Sequence, residues 1–145
     1  MNYLSLKLRI KKNEGFSSRP YKDQLGNYTI GYGHLIRKKE IILFKKNFKV
    51  SFFQNLFEND FKTALDDYNK HFRKYSFSQN IKELIVEMIF QLGGRGVSKF
   101  RKMWAALRED PPNYFEAHVQ MLDSRWAKQT PARAVEMAEQ MQNAE

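Results

Sequence analysis

The chain has no cysteine among its 145 residues. No disulfide and no thiolate metal site can therefore be drawn, a composition that suits a reducing compartment. No apolar run approaches the roughly 18 residues of a membrane-spanning helix, so no stable membrane insertion is expected. The opening stretch MNYLSLKLRIKKNEGF breaks its leucines with Lys7, Arg9, Lys11 and Lys12 and has no small-residue cleavage site. No secretion signal is expected from it. Internal repeats and low-complexity segments are lacking as well. The three histidines, His34, His71 and His118, have no ligand spacing, and neither metal nor cofactor is expected.

Acid is scarce where base is dense. Residues 1–50 carry 12 Lys and Arg against only Glu14, Asp23 and Glu40, whereas residues 51–145 carry 13 charges of each sign. The formal excess of +9 thus lies wholly in the N-terminal third. Such asymmetry fits an anionic partner: nucleic acid, an acidic membrane or an acidic cell-wall polymer. A solvated basic surface would look the same. With 42% hydrophobic residues the chain can bury a real core.

Leu4, Leu6, Leu8 and Ile10 alternate with polar residues, a strand pattern, although Leu6 and Ile10 also fit a helix. Residues 19–36 read as β structure, with a turn through Gly26-Asn27. In NYTIGYGH, Tyr28, Ile30 and Tyr32 point one way and Thr29, Gly31 and Gly33 the other. That second face, nearly bare, would let a bulky ligand lie beside the Thr29 hydroxyl. On spacing alone the same glycines better suit a bulge or a tight backbone contact. From Ser51 onward the spacing is helical. Ser51 with Gln54 reads as a capping box. Ile81, Leu84, Ile85, Met88, Ile89 and Leu92 form a stripe that ends at Gly93-Gly94. Val97 to Leu107 suggest a third helix stopped by Pro111-Pro112. Asn113 with Glu116 reads as a second box, and Thr130 as an N-cap before Pro131. The pattern predicts an α+β, mostly α fold. A small β-containing lobe (about 14–50) and a larger helical lobe (about 51–145) would flank a cleft.

Two of the scarce acids, Glu14 and Asp23, precede the β segment, with Thr29 six positions beyond Asp23. Paired carboxylates are the usual equipment of glycoside hydrolysis, one protonated to donate to the leaving oxygen and one ionised. Phe16 would give Glu14 an apolar neighbour that favours its protonated form. On spacing alone, surface ion pairs explain the same acids.

The stretch LRIKKNEGFSSRPYKDQLGNYTIGYGHLI closely resembles the start of phage-type lysozymes, the endolysin muramidases of glycoside hydrolase family 24. The matching elements are Glu14-Gly15, Tyr21-Lys22-Asp23 and Thr29-Ile30-Gly31-Tyr32-Gly33-His34. Downstream, FQLGGRGVSKF and SRWAKQTPARA resemble two later segments of that family. The resemblance implies a lysozyme-like fold in a single domain over 1–145, with residues 1–13 helical. It implies Glu14 as general acid, Asp23 as second carboxylate and Thr29 as the residue that positions water. Gly31, Tyr32, Gln91 and Arg133 fall to substrate binding, Arg133 also orienting Glu14. His34 pairs with Asp60 in the family pattern. The implied substrate is bacterial peptidoglycan, cut with inversion between N-acetylmuramic acid and N-acetylglucosamine. The implied setting is a monomer held in the host cytoplasm until a separate holin-type partner lets it reach the wall. Two alternatives stand beside this: a basic nucleic-acid-binding domain, for which no motif is present, and an inactive glycan-binding domain, which intact Glu14, Asp23 and Thr29 argue against.

Overall fold

Burial decides the first element. In the computed structural model, which describes residues 3–144, Leu4–Glu14 form helix α1. Leu6 and Ile10 are fully buried, while Leu4 and Leu8 are 58% and 57% exposed. A strand would place all four side chains on one face. Only a helix turns the pair spaced by four inward and leaves the other two outside. The alternation is thus a surface coincidence, and the helix that the family resemblance implies is present from Leu4, residues 1 and 2 of the expected span lying outside the described residues. α1 ends at Gly15, at φ +71°, whose N–H donates to the Lys11 carbonyl at 3.0 Å. Lys11 and Lys12 lie in its last turn, where cations complement the helix dipole.

Strands β1 (Ser17–Lys22), β2 (Tyr28–Gly31) and β3 (His34–Leu35) form an antiparallel sheet in that order. Tyr21 pairs with Thr29 and Lys22 with Tyr28; Thr29 then pairs with Leu35 and Ile30 with His34. A 3₁₀ segment, Lys38–Phe44, follows. Helix α2 spans Val50–Phe72 and buries Phe53, Phe57, Phe61, Ala64, Tyr68 and Phe72 along one stripe. It begins one residue before Ser51, and Phe52 N–H already donates to the Lys49 carbonyl at 3.0 Å. Ser51 is therefore inside the helix and not its N-cap, contrary to the capping-box expectation. Ile30, Leu43 and Phe53 centre a buried cluster, with Ile36, Phe48, Phe52 and Leu56 packed against it.

The chain divides into two compact units, up to Thr63 and from Ala64 onward. The division falls inside α2 and not at residue 50, where the change of pattern suggested a boundary. In the second unit, Ser78 Oγ caps α3 (Gln79–Ser98) by accepting from the Ile81 N–H at 3.4 Å. The predicted break falls at Gly93, which leaves helical geometry at φ +79°. Val97 belongs to the end of α3, and α4 is only Arg101–Leu107. The expected continuous third helix is therefore two pieces, and it ends before the prolines. α5 (Tyr114–Leu122) is capped by Asn113 Oδ1, but Glu116 takes its hydrogen bond from Gln120, so the box is half formed. Ser124 caps α6 (Arg125–Gln129). α7 (Pro131–Gln142) opens on proline as expected. Thr130, however, donates its hydroxyl to the Trp126 carbonyl at 3.0 Å instead of capping the helix.

The helical reading of α1 has a direct test in urea unfolding. Ile10→Ala empties a fully buried position and should cost about 2–5 kcal/mol. Leu8→Ala, on the exposed face, should stay within about 0.5 kcal/mol of the parent. Comparable losses for the two would contradict this orientation of the helix.

Candidate active site

Glu14 closes α1, and its carboxylate meets the turn between β2 and β3. A Cβ built on Gly33 would lie 2.6 Å from Glu14 Oε2, 3.0 Å from its Cδ and 3.2 Å from its Cγ. Gly33 also holds φ +78°, a conformation that side chains resist. The backbone thus favours glycine there, and any side chain would have to displace the Glu14 carboxylate lying against it. Gly31 makes a similar approach to α2, its missing Cβ falling 3.0 Å from Phe53 Cδ1. Of the two readings of these glycines, the tight backbone contact is the one present and the open lane is not. β2 ends at Gly31, Gly31 is buried against Phe53, and Thr29 is only 3% exposed. The glycines bring backbone close to neighbouring elements and do not clear a long face. Phe16 is 47% exposed and stands against Tyr32 and Phe53, ring centres 5.0 and 5.4 Å away. Lys11, one turn before Glu14, sets its ammonium 5.2 Å from the Tyr32 ring centre and 4.8 Å from that of Phe57.

Asp23 shapes the β1–β2 turn. Its Oδ1 accepts from the backbone N–H of Leu25 and of Asn27, both at 2.9 Å. The Asp23 N–H donates to the Asn27 carbonyl at 2.9 Å, and Gly26, at φ +83°, completes the turn. Both side-chain bonds fall on one oxygen, so Oδ2 accepts none among the described residues. Thr29, paired across the sheet with Tyr21, donates its hydroxyl to the Tyr21 carbonyl over 3.4 Å. One small sheet therefore fixes Asp23 and Thr29 directly and holds Glu14 through Gly33.

His34 follows immediately. Its Nδ1 lies 2.8 Å from Asp60 Oδ2 on α2, and its Nε2 lies 3.1 Å from both carboxylate oxygens of Glu40. Glu40 also accepts from the Arg37 backbone N–H at 2.9 Å. Burial acts to lower the His34 pKa, but the hydrogen bond and charge of Asp60, with those of Glu40, outweigh it and leave the pKa raised. Burial likewise works to raise Glu40, and the Arg37 N–H and His34 overcome it and leave the pKa lowered. Sequence reasoning found Asp60 but missed Glu40. The available signal was a lone acid inside the basic run RKKEIILFKK.

The second unit joins its two motif segments through α3. Gln91 Oε1 accepts from Trp126 Nε1 at 3.1 Å. One turn earlier, the fully buried Glu87 takes Arg133 Nη2 at 3.2 Å. Glu87 was also missed; its signal was a single acid within the apolar run LIVEMIF. Among the described residues no group of three or more His, Cys, Asp or Glu could hold a metal ion, and no helix is long and apolar enough to cross a membrane.

Residues 11–140 match the phage lysozyme family. The chain is 33% identical to probable T4-type lysozyme 2 of Dictyostelium discoideum, over 90% of this chain and 89% of that protein. It is 31% identical, with the same coverage, to probable T4-type lysozyme 1 of that organism. It is also 28% identical to the pre-baseplate central spike protein Gp5 of Enterobacteria phage T4, where 90% of this chain matches 26% of that protein.

The His34 cluster makes stability depend on pH with a defined sign. A raised His34 pKa stabilises fully below the ordinary value of 6.5, and the effect fades as pH rises through the folded value. A lowered Glu40 pKa stabilises above its ordinary 4.5, and the effect fades as pH falls through the folded value. Both contributions coexist between those two values. Asp60→Asn removes a charge that the imidazolium needs, whereas the neutral ring at high pH can still donate Nδ1–H to an amide oxygen. Thermal melts should therefore show a larger loss near about pH 5.5 than near about pH 9. Equal losses at both would mean that the pairing with Asp60 does not depend on the His34 charge.

Proposed function

Since the chain belongs to the phage lysozyme family, we propose that it hydrolyses the β-1,4 bond between N-acetylmuramic acid and N-acetylglucosamine in bacterial peptidoglycan. Glu14 is the general acid that protonates the leaving glycosidic oxygen. Asp23, with Oδ1 occupied by the turn, offers Oδ2 to the developing positive charge or to the attacking water. Thr29, donating its own proton to Tyr21, keeps its lone pairs for a proton of that water. Attack from the face opposite the leaving group inverts the anomeric carbon. Such a reaction separates the two carboxyls by roughly 6.5–9.5 Å so that water fits between. The same reading keeps Gly31, Tyr32, Gln91 and Arg133 as substrate-binding residues. It assigns the protein to lysis of a bacterial wall, with release by a holin-type partner.

The observation that carries this reading is the seat of Glu14. A carboxylate at the end of a helix, packed against a turn whose glycine leaves it room, has its range of positions limited by that backbone. Restriction of that kind is what general acid catalysis requires. The basic first unit also suits an anionic wall.

Glu14→Gln tests the assignment. The amide preserves shape but cannot donate the proton, so lysis of permeabilised bacteria should fall by about 10²–10⁴-fold while the melting temperature holds. A folded Glu14→Gln protein that clears the suspension at the parent rate would end the assignment.

A further inference from the structure

The excess positive charge of the first unit is not spread evenly. Between Gln24 and Phe57 the chain carries Arg37, Lys38, Lys39, Lys45, Lys46 and Lys49 against one acid, Glu40. That acid is turned inward, onto His34 Nε2 and the Arg37 backbone N–H. The six cations are exposed. Set among them are apolar side chains that the fold leaves in water: Ile41 at 58% exposure, Ile42 at 47% and Phe44 at 43%. The segment is kinked at Glu40, and beyond the kink three residues per turn place Ile41 and Phe44 on one face. The patch continues onto the sheet. The Phe44 ring centre lies 5.5 Å from that of Tyr28, itself 49% exposed, and Lys22 Nζ stands 5.4 Å from the Tyr28 ring.

We propose that the 3₁₀ segment Lys38–Phe44, with the adjoining Tyr28, is a docking surface for a bilayer of anionic phospholipid. A soluble polyanion would be satisfied by the lysines and would gain nothing from isoleucine and phenylalanine facing water. An interfacial patch needs both. The apolar side chains enter the headgroup–acyl boundary, and lysines around them reach the phosphates with long, flexible stems. With a single turn of apolar side chains, docking is peripheral and reversible, and it depends on the negative surface potential as much as on burial. The surface lies within the first unit and uses none of Glu14, Asp23 and Thr29, so it can operate whether or not the glycosidase assignment holds.

The full chain is tested by co-sedimentation with vesicles of pure phosphatidylcholine and with vesicles containing about one third phosphatidylglycerol. Binding to the anionic vesicles alone is expected. Lys45→Gln with Lys46→Gln should weaken it by roughly 30-fold, at about fivefold per cation. Ile41→Ser with Phe44→Ser should weaken it by at least about tenfold. Ile41 is 58% exposed and Phe44 43%, so that variant should stay folded, and it should keep its retention on a heparin column. Three results would overturn the proposal: no binding to anionic vesicles, equal binding to neutral ones, or an Ile41→Ser, Phe44→Ser protein that binds as the parent does. The last would leave a surface that reads charge alone, as an acidic wall polymer or nucleic acid would require.

Discussion

The first unit depends on how closely the backbone at Gly33 can approach Glu14. Four consecutive residues around that contact each engage a different part of the unit. Gly31 rests on Phe53 of α2, Tyr32 on Phe16 and Phe57, Gly33 on the Glu14 carboxylate, and His34 on Asp60 and Glu40. Two of the four favour glycine because the chain runs through positive φ while pressed against a neighbour. The Glu14 carboxylate therefore lies against the same turn that ties α1, the sheet, the 3₁₀ segment and the start of α2 together.

The scarcity of acid in the first fifty residues gains its meaning here. Each of the three acids has a structural engagement: Glu14 with the Gly33 turn, Asp23 with the backbone of its own turn, Glu40 with His34. The cations from Arg37 to Lys49 face outward instead, with the exposed Ile41 and Phe44 between them, while Lys7 pairs with Glu58 and Lys11 lies over Tyr32 and Phe57. The three acids are engaged by hydrogen bonds or close packing within the unit, and the bases between Arg37 and Lys49 leave its surface strongly positive there.

Much of this was legible in the sequence. The stripes at Phe53–Tyr68 and Ile81–Ile89 marked buried helix faces because a spacing of three and four has one structural explanation. The turn at Gly26 and the break at Gly93 were readable because glycine there permits what other residues resist. The failures have physical causes too. In α1, Leu4 and Leu8 are exposed leucines that imitate a strand, and only family resemblance resolved them. The glycines after Thr29 gave two readings, a bare face or a close approach. Choosing between them needs to know what lies opposite, and Phe53 and Glu14 come from distant sequence. Glu40 and Glu87 were missed for the same reason, since a carboxylate shows its partner only in three dimensions. At Thr130 the hydroxyl donates back to the Trp126 carbonyl, and its oxygen accepts no N–H from the helix it precedes.

The most direct measurement is the rate of peptidoglycan cleavage by Gly33→Ala set against that by Gly93→Ala. Both glycines hold similar positive φ, +78° and +79°, but a Cβ at Gly93 meets nothing within 4 Å while one at Gly33 collides with Glu14. Both substitutions therefore place a side chain at positive φ, and only the one at Gly33 meets the carboxylate. If that seat orients the general acid, Gly33→Ala should lose roughly 100-fold in rate, as a displacement of about 1 Å does, while Gly93→Ala stays close to the parent. Equal rates for the two folded variants would contradict the claim that the Gly33 turn positions Glu14 for catalysis.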